Sequence, residues 1–123
     1  MIKHQEHMVA PLSAEHHRRA NDVIAKIKLA EQASKHTIEL IDIILDLTEH
    51  GLHFYFLSPL ERIGAGSMTM KVAKVGLGST YKGMKMVISK VLKNLDDRQI
   101  LMLTEFLEEI MHPAEAAGIA KIA

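Results

Sequence analysis

Eight histidines and fifteen acidic residues are the side chains of this chain that could hold a metal or move a proton. The densest group is "TEHGLHF", where Glu49, His50 and His53 fall within five residues, and a second set, His4, His7, His16 and His17, lies near the start. A helical zinc site needs two histidines one turn apart on one face, and a closed site needs four ligands in all. His50 and His53 straddle Gly51, a natural residue to follow a helix end, so they are expected to part rather than converge. Cysteine is absent, which removes thiolate ligands, thiolate catalysis and disulfides together. No metal is expected, and these histidines read as solvated or capping groups.

The carboxylates tell a similar story. Glu39, Asp42, Asp46 and Glu49 recur at three- and four-residue spacing, one strip of a helix. A di-metal bundle would need Glu-x-x-His motifs on paired helices, and "EHGLH" is not one. The strip is read as facing water or lysines. No paired acid and base and no serine in a strand-to-helix elbow can be recognised, so the pattern points away from an enzyme.

A third candidate is the glycine-rich stretch "GAGSMTMKVAKVGLGSTYKG", residues 64 to 83. A phosphate-cradling loop requires G-x-x-x-x-G-K-[ST], yet methionine follows Gly83 and no hydroxyl follows Lys85. The dinucleotide pattern G-x-G-x-x-G fails at its third glycine in both "GAGSMT" and "GLGSTY", with no surrounding βαβ pattern. No cofactor is expected here.

A hairpin or an irregular loop is the alternative to a helix in this stretch, and the lysines choose between them. At about 100° per residue, Lys71, Lys74, Lys82, Lys85 and Lys93 share an arc of roughly 100° on a helix, whereas strands would divide them between two faces. Gly66, Thr69, Ala73, Gly76, Thr80 and Gly83 form a second stripe almost opposite. Each interior glycine costs a helix roughly 1 kcal/mol, but small residues along one face let another backbone approach closely. The stripe is read as a helix-packing face, and the lysine arc as a possible anion-binding face, since no acidic residue lies between Glu61 and Asp96.

The elements that would position these groups are helical. Ser13 suits an N-cap with Glu15 in the first turn, and no glycine or proline intervenes before Gly51. Residues 14 to 50 therefore make one long helix or two in series, and a continuous one would span about 55 Å. "LHFYFL" reads as a short extended connector. "SPLE" offers Ser58 as N-cap, Pro59 at N1 and Glu61 at N3, so a second long helix is expected from 59 through the glycine-rich stretch. Asp96 with Gln99, and Leu95 with Ile100, mark the start of a third helix ending before Pro113.

The frame is a single domain. Its 123 residues are 48% apolar, with fifteen cationic residues balancing the fifteen acidic ones, so any anionic partner must be met by a local patch. The start lacks an apolar signal segment and no run of 18 uncharged apolar residues occurs, from which a cytoplasmic protein is expected. The expected architecture is all-α, with a mobile tail over 1–12, a helical domain over 13–112 and a C-terminal tail over 113–123. Within it, a long antiparallel hairpin carries a shorter third helix and assembles as a homo-oligomer, a dimer foremost. The expected function is a non-enzymatic interaction, scaffold or regulatory protein with an unidentified protein partner. The alternative is a binder of nucleic acid or an anionic membrane surface through the lysines of residues 71–93.

Overall fold

The structure, a computed structural model, describes residue 6 and residues 8–112. The expected C-terminal tail and residues 1–5 and 7 of the expected N-terminal tail lie outside the described residues. Helices dominate and no strand occurs among the described residues. In chain order they are α1 (Ala14–Leu29), α2 (Thr37–Leu52), α3 (Ser58–Arg62), α4 (Ser67–Lys93) and α5 (Asp97–Ile110).

Helix α1 starts as its sequence implies: the Ser13 hydroxyl accepts the His16 amide at 3.0 Å, satisfying one of the free N–H groups of the first turn. It does not continue to Gly51. Ala30 and Gln32 are extended, and a 3-10 turn, Ala33–His36, leads into α2. No local breaker causes this. The turn is instead held from outside, because the Asp97 carboxylate accepts the Ser34 amide at 2.8 Å and Ala33 is buried. Thr37 adds a bond to the Ser34 carbonyl. Of the two arrangements open over 14–50, the chain takes two helices in series, of sixteen residues each, which pack on one another and are clamped by Arg19–Asp46 and Lys26–Glu39.

A departure from expectation lies at the other end of α2. Gly51 does not end it, and "HFYFL" is not extended: the chain passes through a π-helical turn, His53–Leu57, directly into α3. Ser58 is therefore no N-cap. Its backbone is α-helical and its hydroxyl donates to the His53 carbonyl instead. The stop comes at Gly64, whose φ of 72° is the only positive value among the described residues. Its N–H reaches the Glu61 carbonyl while Ala65 N–H reaches Leu60, the paired bonds of a Schellman ending. Gly66 then caps α4 in place of the expected continuous helix from 59.

The glycine-rich stretch is helical, as the lysine spacing predicts: α4 runs unbroken for 27 residues through Gly76, Gly78 and Gly83. The third helix also starts where expected, with Asp96 accepting the Gln99 amide and Gln99 reciprocating to the Asp96 amide. The core gathers Ala20, Ile24 and Ile27 of α1, Leu40, Ile41, Ile43 and Leu45 of α2, Leu92 of α4, and Ile100 and Leu107 of α5. Helix α5 crosses the elbow between α1 and α2, its first turn tied to Ser34 and its last to Lys28 through Glu108.

Candidate interaction surface

Helix α4 packs on α2 through a single narrow face. Of its 27 residues only Ala73 and Leu92 are buried, with Met70, Leu77, Tyr81, Met84 and Ile88 half-buried on the same side. These seven positions recur at three and four, as one side of a helix must. Tyr81 lies beside the acidic strip of α2. Burial, and then the charges of Glu49, Asp46 and Asp42, push its phenol above the usual 10.0.

The strip is engaged mainly from the other side. Arg19 meets Asp46 at 2.6 Å and Lys26 meets Glu39 at 2.9 Å. Hydrogen bonds from His36, then from Lys26, hold the Glu39 carboxyl below its usual 4.5. The cations that neutralise α2 thus come from α1. Among the described residues no salt bridge reaches Lys71, Lys74, Lys82, Lys85 or Lys93, and all five are exposed.

The small-residue stripe lies to one side of the packed face. Within the chain only Ala73 is buried, while Gly66, Thr69, Gly76, Thr80 and Gly83 are exposed. A Cβ built on Gly66, Gly76 or Gly83 would meet nothing within 4 Å. Sequence reasoning passed over what lies beside the stripe. Met68, Val72, Val75, Met86, Val87 and Val91 are each more than half exposed, Met86 at 76%. At about 100° per residue they share a sector with Thr69, Gly76, Ser79, Thr80 and Gly83. Spacings of four, three and eleven along Met68, Val72, Val75 and Met86 could have revealed this second apolar face; the glycines and lysines interleaved with it obscured the pattern. Helix α4 therefore has three sides: one packed, one of lysines, and one of small and apolar residues around Lys90 with no neighbour among the described residues.

His4 and His7 lie outside the described residues, and the described histidines do not form a cluster with ligand geometry. His50 and His53 lie within one continuous helix, contrary to the expected break at Gly51, yet no group of three His, Asp or Glu residues among the described ones could hold a metal. The His50 ring instead donates from Nε2 to the Pro11 carbonyl at 2.6 Å and lies 5.4 Å from the His16 ring. His16 also bonds the Ser13 hydroxyl. Their role here is to fasten residues 11–13 to the end of α2. Two hollows among the described residues, of about 250 and 180 Å³, lie open between helices, short of the roughly 300–1,000 Å³ typical of small-molecule sites. Among the described residues no helix is long and apolar enough to cross a membrane.

No known family model matches the chain, and no curated protein or solved structure shows significant similarity to it.

Proposed function

We propose that this chain is a non-enzymatic helical interaction module that acts as a homo-oligomer, a dimer foremost, and scaffolds or regulates a protein partner. The observation that carries this reading is α4: 27 residues with two buried, and a whole side of exposed methionine, valine and glycine. Exposed apolar surface on this scale marks an interaction site. A long antiparallel hairpin of α2, α3 and α4, with α1 and α5 folded over its far end, would present that side outward, and two copies would bring it out of water. Glycine, serine and threonine among the valines favour a facing helix, because they allow close backbone approach.

The test is association measured by light scattering, together with hydrogen exchange along α4. Amides of residues 68–91 should gain protection as concentration rises. A chain that stays monomeric, with concentration-independent exchange in α4, removes the reading.

A second reading is favoured by the exposed lysines without ion pairs. Lys71, Lys74, Lys82, Lys85 and Lys93 form a row that could hold phosphates of nucleic acid or an anionic membrane surface. Binding to heparin or to phosphatidylserine vesicles that weakens steeply with salt, and is lost in a Lys74→Gln/Lys82→Gln/Lys85→Gln variant, supports it. Binding unchanged by those substitutions rejects it.

A further inference from the structure

Helix α4 is not the only element with an uncovered apolar side. Helix α5 turns Ile100, Thr104 and Leu107 into the core, but Met102, Phe106 and Ile110, one turn apart, remain 54%, 50% and 40% exposed. The two helices are joined by only Asn94, Leu95 and Asp96, yet they do not pack along one another. Neither covers the other's open side within a chain.

Their charges are opposite. Helix α4 carries six lysines and no acidic residue, whereas beyond Arg98 α5 carries Glu105, Glu108 and Glu109 and no cation. Glu108 is already engaged by Lys28, while Glu105 is exposed. At about 100° per residue Lys82 borders the apolar side of α4, Lys90 stands within it at the angle of Val72, and Glu105 lies beside the stripe of α5. Two α4 helices laid together would oppose lysine to lysine. An α4 against an α5 opposes lysine to glutamate, which fixes the choice of partner and its register. The shapes agree as well, since Gly76, Ser79, Thr80 and Gly83 leave room for Phe106 and Met102.

We propose that the open side of α4 receives α5 of a second copy, and that the contact is reciprocal, each chain giving its α5 to the other's α4. This rests on the oligomeric reading above and names the surfaces that form it. A reciprocal contact closes at two chains, so assembly stops at a dimer.

Charge exchange tests it. Lys82, Lys90 and Glu105 are exposed and make no salt bridge among the described residues, so substitutions there leave the fold intact, as circular dichroism checks. A Lys82→Glu/Lys90→Glu variant and a Glu105→Lys variant should each dimerise at least tenfold more weakly than the wild type. Mixed in equal amounts, they should pair with each other to within a few-fold of wild-type affinity, because one contact becomes glutamate against lysine and the other is native. If the wild type dimerises but Glu105→Lys has no effect, or the mixture associates no better than its components, the α4–α5 contact is wrong and oligomerisation stands by another surface. A wild type that is monomeric throughout overturns both proposals. A monomer that sediments with phosphatidylserine vesicles identifies a membrane as the occupant instead.

Discussion

Replacing Gly78 and Gly76 separates what α4 needs as a helix from what it needs as a surface. Both glycines lie in mid-helix, and a Cβ added to either meets nothing within 4 Å among the described residues. Glycine in a helix interior is about 1 kcal/mol worse than alanine, so Gly78→Ala should stabilise the chain by about that amount. For a chain of 123 residues the melting temperature should rise by about 4 °C. Gly78 sits on the lysine side, and its gain should not depend on concentration. Gly76 lies among the exposed valines. In a dilute, dissociated sample Gly76→Leu should stabilise by a similar helix-propensity gain, since leucine ranks close to alanine. In a dimer closed over this side, the added bulk should cost about 1–3 kcal/mol, weakening association by roughly 5- to 150-fold. The assay is thermal unfolding by circular dichroism from low to high micromolar protein. Gly76→Leu should melt above the wild type at the dilute end and lose that advantage at the concentrated end. A Gly78→Ala variant that melts lower would refute the helical account of the stretch, and a Gly76→Leu advantage independent of concentration would refute closure over the small-residue side.

Other outcomes follow from the core and from three titrating groups. Ile100→Ala, at a fully buried position where α5 meets the core, should cost about 2–5 kcal/mol in urea unfolding; a loss under 1 kcal/mol would mean that α5 is not docked. The Asp97 carboxyl is held below 3.8 by hydrogen bonds from Ser34 and by Lys35, and Glu39 below 4.5 by His36 and Lys26. Depressed carboxylates stabilise the fold above their unfolded values and lose that contribution as pH falls through the folded ones. Stability should therefore decline below about pH 4.5, and Asp97→Asn should flatten the decline; an unchanged acid profile contradicts the Ser34 bond. Tyr81 carries the opposite sign: its raised phenol stabilises below 10.0 and destabilises as pH climbs through the folded value. Asp46→Asn with Glu49→Gln should bring its ultraviolet titration back towards 10.0, and no movement would separate Tyr81 from the strip.

What could be read in the sequence was what local chemistry decides. The caps at Ser13 and Asp96, and the helicity of α4 despite three interior glycines, follow from hydroxyl or carboxyl placement and from lysine spacing alone. Over 14–50 the sequence left one helix or two in series open, and the choice is made at a distance, by Asp97, 63 residues beyond Ser34, and by the burial of Ala33. "SPLE" misled for the reverse reason. A capping signature acts only if the preceding residue leaves the helix, and packing of Leu57, buried at the π-helical turn, keeps the chain helical through it. Gly64 was one glycine among five in its stretch, and only its positive φ distinguishes it as the stop. Of the candidate surface, the lysine row and small stripe were visible as periodicities. The exposure of the valines and methionines beside them was not, since periodicity cannot tell which of two apolar sides a helix buries.

The most direct test of the central claim is sedimentation equilibrium on the wild-type chain at micromolar concentration, where assembly through α4 predicts a mass of twice 13.7 kDa that dissociates on dilution. A single species of 13.7 kDa at every concentration would contradict it.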